Sequence, residues 1–147
     1  MGHCIRAIIG ARDSVRRLAE DWLREVVELP QDFGMILMTN GFLEDLGELM
    51  EVSDDLCFPE LENFTEEVKE LIERYSFRTK LAYIETDYFG GVGTQAGVLY
   101  ENGRITIEPR RGEGTINILL KELGVWHYSD KDEFDMLELG KHRHMPY

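Results

Sequence analysis

Asn102-Gly103 stands between two runs that read as strands, Gln95–Glu101 (QAGVLYE) and Arg104–Glu108 (RITIE), and no other feature of the 147-residue chain limits its fold as tightly. Both turn residues tolerate the positive φ of a type I′ turn, and a two-residue turn fixes the register. Glu101 then faces Arg104, Tyr100 faces Ile105, Leu99 faces Thr106 and Val98 faces Ile107, which sets an opposite-charge pair at the turn and keeps one face apolar. Leu81–Thr86 (LAYIET) reaches this hairpin through the Gly90–Gly93 loop and extends it to a meander. Cys4–Gly10 (CIRAIIG) reads as an opening strand, with Ile5, Ala7 and Ile9 on one face and Cys4, Arg6 and Ile8 on the other; Met35–Met38 reads as another.

Between the strands the apolar period changes to that of a helix. Val15, Leu18, Ala19, Trp22, Leu23 and Val26 form a continuous stripe, with Asp13 or Ser14 as the cap and Pro30 as the stop. Phe42, Leu46, Leu49 and Met50 repeat the pattern after Asn40-Gly41, and Glu51–Pro59 reads as a loop. Thr65 is placed to cap a helix carrying Val68, Leu71, Ile72 and Tyr75 inside and Glu66, Glu67, Glu70 and Glu73 outside. After the breaker run Pro109–Gly114, Thr115 opens a helix with Ile116, Leu119, Leu120 and Leu123 on one side and Gly124 at its end. The alternation around Phe134–Leu139 fits either a last strand or a short helix. The expected architecture is a single α+β domain over residues 1–147, a mostly antiparallel sheet of about four to six strands covered by three or four helices.

Charge is distributed unevenly. Residues 44–73 hold twelve acidic side chains against one basic, which accounts for -11 of the formal net charge of -13. Such a segment repels a phosphate backbone, so nucleic acid is not an expected partner. No run approaches the roughly 18 apolar residues of a membrane helix, and the opening residues lack the apolar core of a secretory signal, so no membrane partner and a cytoplasmic location are expected. Cys4 and Cys57 have no zinc or redox spacing and read as buried thiols.

Candidate chemistry centres on Tyr83–Gln95 (YIETDYFGGVGTQ). Glu85 and Asp87 share a strand face, and paired carboxylates at a strand end can position a proton; with His127 and nearby aromatics they define an alternative reading as a small enzyme or ligand-binding domain. The Gly-rich loop lacks the lysine and the following helix that phosphate binding requires, and no cofactor is expected. His142 and His144 would project together from an extended segment as a two-imidazole metal candidate, with no third ligand at a supporting spacing.

From YIETDYFGGVGTQ through the hairpin and the next helix, residues 80–125 resemble small uncharacterised bacterial proteins, some similar to immunity proteins of polymorphic or contact-dependent toxin systems. The resemblance carries no catalytic residues with it. It implies an inhibitor, and the charge distribution independently favours an acidic protein-binding domain that captures a basic partner such as a nuclease toxin. The expected contacts are Glu44, Glu48, Glu51, Asp54, Asp55, Glu66, Glu67, Glu70 and Glu73, with Phe58 or Phe64 as apolar anchors.

Overall fold

The computed structural model describes residues 2–49, 57–89 and 92–145, with the backbone alone at 48 and 49. Its strands are β1 (His3–Ala11), β2 (Val27–Leu29), β3 (Phe33–Leu37), β4 (Lys80–Phe89), β5 (Val92–Glu101) and β6 (Arg104–Arg111). Its helices are α1 (Arg12–Trp22), α2 (Asn40–Leu49), α3 (Glu66–Tyr75), α4 (Thr115–Leu123) and the short α5 (Glu133–Met136). The strands form one sheet in the order β2-β3-β1-β4-β5-β6, and every neighbouring pair is antiparallel. The fold is α+β, as the patterning predicts. Among the described residues no helix is long and apolar enough to cross a membrane.

The central strands are apolar on both faces because both faces are covered. Ile8, Ile36, Leu81, Tyr83, Val98 and Tyr100 pack under α1, α2 and α3, whereas Ile5, Ala7, Ile9, Ala82, Ile84 and Leu99 pack under α4 and the residues around α5. Helix α4 lies so close that a Cβ on Gly97 would fall 2.4 Å from Leu119 Cδ1 and 2.6 Å from the Tyr83 carbonyl. Only glycine fits beneath it.

The Asn102-Gly103 turn forms, with φ of 51° and 76°. Glu101 pairs with Arg104 and Tyr100 with Ile105 as the turn dictates, but Leu99 faces Ile107 in place of Thr106. A bulge at Thr106 causes the shift. It lets Ile105 pack towards α3 and Ile107 towards α4, two residues that an unbroken strand would hold on one face. β6 then runs through Pro109 to Arg111, beyond the expected breaker, because an edge strand can hold a proline where the ladder is already irregular.

Both ends of α1 differ from the sequence expectation. α1 begins straight from β1 without a side-chain cap, and Ser14 Oγ instead bonds Thr79 Oγ1 at 2.9 Å. It stops at Leu23, in the left-handed conformation, where the Arg24 amide donates to the Ala19 carbonyl at 2.8 Å. Val27–Leu29 is thereby free to pair with β3, and Pro30 opens the connection between those strands. α3 starts after Thr65 as expected, although the Thr65 side chain makes no capping bond; Glu67, expected outside, is buried because it stands one turn before Leu71 on the inner stripe. The segment after Val125 resolves into the short helix α5, capped by Asp132, which accepts from the Asp135 amide at 2.9 Å.

Candidate functional site

Arg6, Glu85, Ala96 and Arg111 stand in register across β1, β4, β5 and β6, so a cation, an anion and a second cation project from one row on the α1–α3 face. This row grips the chain just before α3. Glu85 Oε1 accepts from the Glu62 amide at 2.8 Å and from Arg111 Nη2 at 3.3 Å; Oε2 accepts from the Asn63 amide and the Tyr83 hydroxyl, both at 2.7 Å. Arg111 Nε donates to the Glu60 carbonyl, and Arg6 reaches Asn63, Asn40 and the Met38 carbonyl. Glu85 is thus occupied by donors while its side chain is 6% exposed. Burial, with the Glu85 charge beside it, pushes the Tyr83 hydroxyl well above the ordinary phenol range.

The row fixes the chain at residues 60–63, which leads into α3. α2 and α3 both pack on this face, and of the expected contacts Glu44 and Glu70 are exposed while Glu66 and Glu73 are half-exposed. Glu66 accepts from the Cys57 thiol, which burial and that neighbouring carboxylate push up to about 11. Lys69 pairs with Glu73 at 3.8 Å, and Asp45 is held by Arg24. Glu67 points inward and leaves the list of surface contacts. Glu51, Asp54, Asp55 and the Glu48 side chain lie outside the described residues. Phe64 is fully buried against Tyr83 and Tyr100, so it is core and not an anchor; Phe58 is half-buried beside it.

Glu85 and Asp87 share their face as expected, and Asp87 is exposed. With Arg6 and Arg111 they line a crevice of about 60 Å³, far below the roughly 300 Å³ of a small-molecule site. His127 is not brought to them. Its Nε2 lies 3.4 Å from Glu133 of α5, on the opposite face of the sheet, and its Nδ1 bonds the Tyr128 carbonyl. The chain of His144 runs parallel beside Cys4, and among the described residues no group of three His, Cys, Asp or Glu converges as a metal-ligand set. Cys4 is exposed, not buried, because β1 begins before the helical layers cover it; Cys57 is half-buried.

A larger cavity, of about 370 Å³, opens on the α4 face. His3, Thr86, Tyr88 and Gln95 line it from the sheet, Asn117 from α4, Asp132 and Phe134 from α5, and Gly140 and Arg143 from the C-terminal turn. His3 Nε2 lies 3.0 Å from the Leu139 carbonyl, which can only accept, so the proton sits on Nε2. Nδ1 then accepts from Thr86 Oγ1 at 2.7 Å, and that oxygen accepts in turn from the Ile5 amide. The neutral imidazole satisfies every partner. Burial first, then the nearby Arg143, His142 and His144, hold the His3 pKa below its ordinary 6.5. The unfolded chain therefore binds a proton that the folded chain refuses, and this contribution to stability is complete above 6.5 and falls away as the pH drops towards the folded value. The protection factors of the amides at residues 139–144, after correction for the intrinsic exchange rate at each pH, are expected to fall over that interval, and His3→Gln should flatten the dependence; an unchanged profile in the variant would exclude His3 as its source.

Sequence reasoning passed over this cavity because its residues come from six separate parts of the fold, β1, β4, β5, α4, α5 and the turn around Gly140–Arg143, and no local pattern joins them. Three of the lining residues, Thr86, Tyr88 and Gln95, do fall within the Tyr83–Gln95 stretch, but the carboxylates singled out there, Glu85 and Asp87, project from the other face of the strand. No family model matches the chain, and no curated protein or solved structure matches it.

Proposed function

We propose that this chain is a protein-binding domain whose acidic α2–α3 layer captures a basic partner, in the manner of an immunity protein that neutralises a toxin such as a nuclease. What supports the reading is the way the Arg6–Glu85–Arg111 row holds residues 60–63, at the entry to α3, against the sheet while Glu44 and Glu70 stay exposed and Glu66 half-exposed. Pre-positioned charges of one sign accelerate encounter with an opposite surface and reject like-charged competitors. Lys69 is the sole cation of residues 44–73, and it is already paired with Glu73. The resemblance over residues 80–125 adds the toxin-inhibitor class.

The test is capture of partners from the native source at two salt concentrations, followed by kinetics on the purified partner. A basic protein should be retained at ~0.05 M salt and released at ~0.5 M. The double variant Glu66→Lys, Glu70→Lys should slow its association by roughly tenfold or more. Absence of a basic partner at low salt, or association indifferent to both salt and the charge reversal, rejects the proposal.

A further inference from the structure

The donors lining the cavity on the α4 face do not all find partners within the protein, and the surplus has one sign. Gln95 Oε1 accepts from the Ile116 amide at 2.7 Å, which fixes the orientation of the carboxamide and turns Nε2 towards Tyr88. Nε2 donates to the Tyr88 hydroxyl oxygen at 3.2 Å. The phenol is therefore an acceptor on that side and keeps its own proton to donate. Asn117 is fixed in the same way: Oδ1 accepts from the Phe134 amide at 2.9 Å, and Nδ2 donates to Asp132 Oδ2 at 3.0 Å with a second proton left over. Arg143 uses Nε on the Gly140 carbonyl and forms no ion pair among the described residues, so both terminal nitrogens remain available.

The acceptors are already engaged. Asp132 receives the Asp135 amide on one oxygen and Asn117 on the other, and His3 has both nitrogens satisfied. Phe134 supplies an apolar wall, with the His3 ring tilted against it at 5.5 Å. Arg143 stands between His142 and His144 in the chain, and its guanidinium and the Asp132 carboxylate are the two formally charged side chains among the lining residues. A volume of about 370 Å³ falls within the range of small-molecule sites.

We infer that this cavity binds a small organic anion, its flat apolar body against Phe134 and its carboxylate or phosphate group on the Arg143 guanidinium and the Tyr88 hydroxyl. Charge-assisted, forked bonding by a guanidinium suits either headgroup. The site is separate from the acidic layer, on the other face of the sheet, and does not depend on that reading.

Benzoate and phenyl phosphate are suitable probes, with benzyl alcohol as the uncharged control, titrated into isotopically labelled full-length protein. Saturable shifts of the Gly2, Asn117, Phe134 and Gly140 amides are expected with at least one anion and not with benzyl alcohol. Whichever anion binds more tightly identifies the headgroup. Arg143→Gln should weaken that binding by roughly tenfold and Tyr88→Phe by a few-fold, with unchanged circular dichroism. Glu66→Lys, Glu70→Lys should leave it unchanged. The inference is overturned if neither anion saturates, if the shifts map away from these residues, or if Arg143→Gln binds as tightly as the parent. Equal binding by inorganic phosphate alone would remove the role given to Phe134 and overturn the proposal as stated.

Discussion

Glu85→Ala is expected to lower the stability of the domain by about 3–4 kcal/mol, which for a chain of this size moves the melting temperature by roughly 10 °C. The change removes a side chain that is 6% exposed and strands four donors. Two are backbone amides of Glu62 and Asn63, one is the buried Tyr83 hydroxyl and one belongs to Arg111, and water does not readily replace a carboxylate shared by all of them. Glu85→Gln should fall between parent and Ala, because whichever oxygen becomes an amide then faces donors with a donor. Asp87→Asn, two residues along the same face but exposed, should stay within about 0.5 kcal/mol. Urea denaturation followed by circular dichroism measures all three. If Glu85→Ala proves as mild as Asp87→Asn, the row does not hold residues 60–63. In a double cycle, Arg111→Ala should cost less in the Glu85→Ala background than alone, since the pair has already been broken.

The identity of Glu85 as a noteworthy residue was legible in the sequence, and its work was not. Two carboxylates at positions 85 and 87 advertise a shared face through strand periodicity alone. Whether such a group meets solvent or a ring of donors depends on Glu62 and Asn63, about twenty residues earlier, and on Arg111 from another strand. Local patterning carries no information about that convergence. The meander was legible for the opposite reason: Asn102-Gly103 is a local instruction, and it determined the first two pairs correctly before the bulge at Thr106 let tertiary packing set the third. The end of α1 shows the same boundary. The apolar stripe continues to Val26, but pairing of Val27–Leu29 with β3 overrides it at Leu23. Uninterrupted apolar runs in β1 and β4 were the available sign that the sheet would be covered on both faces.

Phe64 separates the two ways in which an aromatic in the acidic segment can act. As a partner-binding anchor it would be exposed in the free protein, and its removal would weaken association while leaving folding alone. It is instead fully buried, edge-on to Tyr83 at 4.9 Å, stacked on Tyr100 at 6.3 Å and tilted against Phe58 at 5.7 Å. Its carbonyl also accepts from the Cys57 amide at 3.1 Å, so it ties the chain entering α3 to the core. Phe64→Ala is therefore expected to destabilise the protein by about 3–5 kcal/mol, through lost burial and the cavity left among the rings. Phe64→Leu should lose no more than about 1.5 kcal/mol, because the volume is nearly kept. The urea slope should stay the same while the midpoint falls, as expected when stability changes and the unfolded ensemble does not. Near-ultraviolet circular dichroism of the Tyr83–Tyr100 pair should weaken in Phe64→Ala even at low denaturant, reporting loosened packing beneath α3. Stability equal to the parent, coupled with lost association, would return Phe64 to the surface and place the acidic segment differently on the sheet.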